Sequence, residues 1–109
     1  MVNVTFTESG KILSLRLEGH AGYADIGKDI VCASCSILAY TVAQFVMEAE
    51  NKGDLASPPQ IDLESGNTII SCEPNNEDAF LAIKYMYLFS TVGYALLAHN
   101  YPQYVRLMP

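Results

Sequence analysis

Residues 30–47, IVCASCSILAYTVAQFVM, constrain this chain more than any other stretch, because they carry no formal charge. Ala33, Ile37, Leu38, Val42, Phe45 and Val46 recur at the i, i+3, i+4 spacing of one helical face. Ala39, Tyr40, Ala43 and Met47 make the other side apolar too. Such a helix must be covered on most of its circumference. A run of this length can cross a bilayer, but Ser34, Ser36, Thr41 and Gln44 interrupt it and no basic flank sets an orientation. The reading is therefore a helix buried in a small core or in a dimer interface, with no membrane partner.

The rest of the chain supplies the cover. Val2, Val4 and Phe6 alternate with Asn3, Thr5 and Thr7, and Leu13, Leu15 and Leu17 alternate with Ser14, Arg16 and Glu18. With the turn Glu8-Ser9-Gly10-Lys11 between them, these runs predict a β-hairpin. Residues 19–28, GHAGYADIGK, hold three glycines and no period, which reads as a mobile loop. Asp29 is then a good N-cap for the first helix. Gly53 and Pro58-Pro59 bracket a linker, and QIDLE and TIISCE around Ser65-Gly66-Asn67 predict a second hairpin. Asn75 or Asn76 caps a second helix, with Glu77 and Asp78 in its first turn, that runs to about His99. Val105 and Leu107 suggest a short last strand. The order ββαββα(β) predicts one α+β domain over residues 1–109, a two-layer sandwich with a largely antiparallel or mixed sheet and two apolar helices.

A chain of 109 residues, half of them hydrophobic, suits one domain with a modest core. The net charge of −6 argues against nucleic acid as a direct partner and suits a basic one. Three cysteines exclude a fully paired disulfide framework. The start, MVNVTFTESG, lacks a basic region followed by an apolar one, so a cytoplasmic location is expected.

Chemistry concentrates in Cys32-x-x-Cys35. A zinc site is poorly supported, because Cys72, His20 and His99 form no second spaced pair. Neither a metal nor another cofactor is expected. A dithiol oxidoreductase fits the motif at a helix start, yet those folds place it directly after a parallel strand, and here a glycine-rich loop precedes it. In the third reading one thiol acts. Cys32 falls at the third helical position, where amide dipoles favour a thiolate, and His20 sits among Gly19, Ala21 and Gly22 where a loop can bring it near. The plain alternatives are a loop histidine and a core cysteine. Cys72 reads as core, and His99 as a helix-terminus residue without chemistry.

Residues 19–36, GHAGYADIGKDIVCASCS, resemble the signature of the ribosomal-processing cysteine protease family (Prp) of bacteria. Gly19-His20, Gly27-Lys28-Asp29, Val31-Cys32-Ala33 and Ser36 all fall on it, and the element order and length agree along essentially the whole chain. The resemblance implies a homodimeric cytosolic endopeptidase. Its expected substrate is the precursor of large-subunit ribosomal protein number twenty-seven, from which it removes an N-terminal extension after a phenylalanine in an apolar motif. It implies Cys32 as nucleophile and His20 as its partner, with Asp29 a supporting acid and Ser36 a polar group near the thiol. Cys35 departs from the family, which more often has a small aliphatic residue there, and it reads as a bystander.

On this reading amides of the first helical turn are candidates for an oxyanion hole. Asp29 either caps the helix or orients His20. The loop, with Gly22, Tyr23, Ile26 and Gly27, is a candidate substrate gate whose Tyr23 and Ile26 offer apolar contact. A non-enzymatic adaptor that binds a basic ribosomal protein is the alternative from another class.

Overall fold

The computed structural model describes residues 1–25 and 27–109. Its elements are β1 (Val2–Ser9), β2 (Ile12–Glu18), α1 (Ile30–Asn51), β3 (Gln60–Glu64), β4 (Asn67–Cys72), α2 (Glu77–Asn100) and β5 (Val105–Leu107). The strands form a single mixed sheet in the order β3-β4-β2-β1-β5. Neighbours are antiparallel except β5, which lies parallel to β1. The expected two-layer α+β sandwich is the one observed.

Register makes one face of this sheet apolar. Val4 pairs with Leu17, Leu15 with Ile70, Leu13 with Cys72, and Val2 with Val105. All eight of these side chains are buried, whereas Asn3, Thr7, Arg16 and Glu18 on the alternate positions are exposed. Both helices lie on the apolar face. The Tyr87 hydroxyl of α2 donates to the Ile70 carbonyl of β4 at 3.0 Å, and the Tyr94 hydroxyl donates to the Cys35 carbonyl of α1 at 2.9 Å. Burial pushes both phenols well above their ordinary values, so they remain protonated donors. Together they bolt α2 to the sheet on one side and to α1 on the other.

The helices face the core differently from the sequence pattern. On α1 the buried stripe is Val31, Cys35, Ala39, Val42, Ala43, Val46 and Ala49. Ala33 is exposed and Ile37 is 62% exposed, although the spacing put both on the core face. The reason is steric. Small residues let α2 approach α1 closely, with Leu38 nested against Gly93, where an added Cβ would lie 2.8 Å from Leu38 Cδ1. On α2 the inward residues are Ala79, Ile83, Tyr87, Ser90 and Tyr94. Outside them runs a stripe of exposed apolar side chains, Leu81, Tyr85, Phe89, Val92 and Leu96, with Phe89 74% exposed. Both helices are long and apolar enough to cross a membrane; in this fold one face of each is core.

Asn76 is the α2 cap, accepting from the Ala79 amide at 2.8 Å. Asn75 instead donates its side-chain amide to the Gly53 carbonyl at 2.6 Å, tying the linker to the start of α2.

Candidate active site

The site is assembled where β2 ends, α1 begins and the β3–β4 turn folds over. Strand register brings the parts together. Glu18 pairs with Asn67, and Asn67 with Glu64, so the chain leaving β2 at Gly19 meets the Ser65-Gly66 turn at the same end of the sheet. The Gly19 amide donates to the Gly66 carbonyl at 2.9 Å, and the Met1 nitrogen donates to the His20 carbonyl at 2.5 Å. His20 is thus carried on backbone held from both sides, with its side chain exposed.

Asp29 organises the other wall. One carboxylate oxygen, Oδ1, accepts from the Cys32 amide at 2.8 Å, which makes Asp29 the N-cap of α1. The second, Oδ2, accepts from the Tyr23 amide at 2.9 Å and the Ala24 amide at 3.3 Å. Desolvation pushes this carboxyl upward, and the bonds from the Cys32, Ala24, Tyr23 and Val31 amides outweigh it and hold it below its ordinary value. Both oxygens serve backbone, so Asp29 supports the site as a cap and a loop tie, and among the described residues no hydrogen bond joins it to His20.

Two clefts open from this point. One, of about 230 Å³, has an apolar wall that includes Val2, Leu17, Ala39, Tyr40 and Leu63, closed at one end by the β3–β4 turn. The other, of about 560 Å³, runs along Ala21, Gly22, Ala24, Gly27 and Ala33. His20, Cys32, Ser36 and Ser65 line both. The two clefts therefore meet at these four residues, Cys32 among them. Ser36 stands one helical turn beyond Cys32, and among the described residues neither its hydroxyl nor that of Ser65 makes a hydrogen bond within the protein.

The three thiols separate by exposure. Cys32 is exposed, whereas Cys35 and Cys72 are buried. Burial, with the charges of Cys32 and Asp29 adding to it, pushes the Cys35 thiol up to about 11. Burial also raises Cys72, partly offset by its contact with the Tyr87 hydroxyl. His99 lies in the last turn of α2, outside both clefts. Among the described residues no three His, Cys, Asp or Glu side chains are grouped to hold a metal ion.

Two expectations change. The expected oxyanion donors in the first turn are fewer, because the Cys32 amide donates to Asp29 Oδ1 and the Ala33 amide to the Asp29 carbonyl at 3.0 Å. Tyr23 does not line either cleft. Its ring packs edge-on against Tyr101 and Tyr104, with centroids 5.6 and 5.1 Å away, because the tail segment before β5 passes beside the loop. Gly22 and Gly27 do line the second cleft, and Ile26 lies outside the described residues. Ser65, Gly66, Tyr40 and Leu63 were not singled out from sequence, since a turn and a strand remote in the chain carry no mark of the cleft they close.

The family model for the cysteine protease Prp matches residues 1–106. The chain belongs to the Prp family of cysteine proteases. It is 26% identical over 109 residues to the ribosomal processing cysteine protease Prp of Staphylococcus aureus, across 97% of this chain and 94% of that one. Its fold resembles that of the essential ribosomal processing protease Prp from S. aureus solved with a covalently linked product peptide, with a TM-score of 0.74 and 23% identity over 98% of this chain and 97% of that one. The same S. aureus protease with a substrate peptide gives 0.67 at 17% identity, over 99% and 98% of the two chains. SMU.848 from Streptococcus mutans gives 0.65 at 27% identity, over 98% and 91%. As a cysteine protease of the Prp family the chain needs a thiol that substrate can reach, and Cys32 is the exposed one.

Proposed function

We propose that this Prp-family protease removes the N-terminal extension of large-subunit ribosomal protein number twenty-seven, with Cys32 as nucleophile and His20 as its acid–base partner. The observation that carries this reading is the exposure of Cys32 at the junction of two clefts that it shares with His20.

The Cys32 thiolate attacks the scissile carbonyl, forming a tetrahedral oxyanion. His20 gives its proton to the departing amine, the C–N bond breaks, and the extension remains as a thioester on Cys32. Water, deprotonated by His20, then attacks the thioester and releases the extension as a carboxylate with the thiol restored. Asp29 already occupies the Cys32 amide, so that amide is not the donor to the oxyanion. Ser36, beside the thiol and free to donate, is the group assigned to the oxyanion.

The smaller cleft suits an apolar side chain such as phenylalanine ahead of the cut, because Val2, Leu17, Ala39 and Leu63 line it. The net charge of −6 suits a basic ribosomal precursor in the cytoplasm. The active form is a homodimer: the Leu81, Tyr85, Phe89, Val92 and Leu96 stripe is the apolar surface that a second copy would cover. That moves the expected interface from α1 to α2. Ala21, Gly22, Ala24 and Gly27, which line the larger cleft, act as the gate.

The test is mass spectrometry of the ribosomal precursor incubated with the protein under reducing conditions. Two products separated at a single bond after the apolar motif support the reading. Tight binding with an intact precursor would instead identify a non-catalytic adaptor, and a trapped mixed disulfide a dithiol oxidoreductase.

A further inference from the structure

A Cys–His pair needs its imidazole held in one orientation, and a carboxylate commonly does this. Here the nearby carboxylate is engaged elsewhere, with both Asp29 oxygens on backbone amides. What touches the His20 ring is the β3–β4 turn. A Cβ built on Gly66 would lie 2.6 Å from His20 Nε2, 2.9 Å from Cε1 and 3.4 Å from Cδ2. All three atoms belong to the imidazole, so the Nε2 end of the ring rests against the bare Gly66 Cα.

We infer that Gly66 is the positioning residue for His20, a steric backstop that sets the ring's place over the junction of the two clefts. The inference rests on the proposed acid–base role of His20. Gly66 is suited to it twice over. Its φ of 79° lies in the left-handed region that glycine adopts at no steric cost, and its missing side chain leaves the space the ring fills. The turn is in turn fixed to the His20 backbone through the Gly19 amide and Gly66 carbonyl. The nearest atoms a side chain at 66 would meet are at the mobile end of His20. The ring would swing aside while the hairpin stays folded.

Gly53 allows the two demands on Gly66 to be separated. It has the same φ of 79°, and a Cβ there meets nothing within 4 Å. Asn tolerates this backbone region, so Gly53→Asn carries the conformational cost alone, while Gly66→Asn adds the collision with His20. Each variant is assayed for peptide cleavage and for the single-turnover burst on an activated phenyl ester. The phenolate leaves without a proton, whereas the peptide amine needs one from His20. Gly66→Asn is expected to lower kcat on the peptide about a hundredfold, the cost of misplacing a catalytic group by about 1 Å. KM should stay nearly unchanged and the ester burst should fall far less, while Gly53→Asn keeps both activities. If Gly66→Asn melts below the assay temperature, Gly66→Ala is measured in its place.

Three results would overturn the assignment. One is parental peptide kcat in Gly66→Asn beside an inactive His20→Ala, which removes the backstop and leaves His20 its role. Another is an equal fall on peptide and ester, which reports damage to the fold. The third is parental cleavage by His20→Ala, which removes the acid–base reading beneath it.

Discussion

Asp29 accepts from the Cys32 amide on Oδ1 and from the Tyr23 and Ala24 amides on Oδ2, and replacing it separates the roles of its two oxygens. Asp29→Ala loses the cap on Cys32, worth about 1 kcal/mol, which lowers the melting temperature by about 4 °C for a domain of this size. Asp29→Ser keeps a cap acceptor but has no second oxygen for the Tyr23 and Ala24 amides. It should melt close to the parent and show a raised KM, because those bonds hold the wall of the larger cleft. Asp29→Asn also keeps the cap, and its amide nitrogen cannot accept from the loop. Its kcat should stay within about tenfold of the parent, whereas the orienting Asp of a serine-protease triad costs roughly 10⁴ on the same change. The pH dependence has a definite sign. The folded carboxyl lies below its ordinary value of 3.8, so its stabilisation is present above that value and is lost as pH falls below it. The gap in melting temperature between the parent and Asp29→Ala should therefore be full at neutral pH and close under acid. Calorimetry across pH and steady-state peptide kinetics measure both quantities. A loss near 10⁴ in kcat for Asp29→Asn at an unchanged melting temperature would refute the reasoning and restore Asp29 as the orienter of His20.

Other substitutions test the remaining assignments. Cys32→Ser should abolish peptide cleavage and leave substrate binding, while Cys35→Ser keeps most activity and loses about 1 kcal/mol or more for a hydroxyl in the α1–α2 core; equal inactivation of two folded variants would return the pair to dithiol chemistry. His20→Ala should lose cleavage and His99→Ala should keep it, and equal losses would show that helix stability rather than chemistry was being read. Phe89→Lys should convert a dimer to a monomer in sedimentation by placing a charge in the α2 stripe, and an unchanged sedimentation coefficient would locate the interface elsewhere.

Local chemistry was legible in the chain. The Asp29 cap, the Gly10 and Gly66 turns and the start of α2 all close within a few residues, so backbone geometry and side-chain type suffice to place them. The choice between Asn75 and Asn76 was not local, because Asn75 is engaged 22 residues away at Gly53. Alternation and turns likewise showed which strand residues point inward and which strands form the two hairpins, but not that β4 lies beside β2 or β5 beside β1.

For the site, the motif marked His20, Cys32, Asp29 and Ser36, and tertiary structure decided what each faces. Periodicity admitted more than one apolar stripe on α1. Packing against α2 chose the small residues, burying Cys35 and turning Cys32 outward. Tyr23 looked free to meet a substrate until the tail brought Tyr101 and Tyr104 against it. The pairing of β4 with β2 set Gly66 against a histidine 46 positions earlier in the chain. Caps and turns are settled by bonds between near neighbours, and the chain alone determines them. The facing of a helix and the order of strands are settled by the burial of surfaces far apart in sequence, and only the folded whole selects among them.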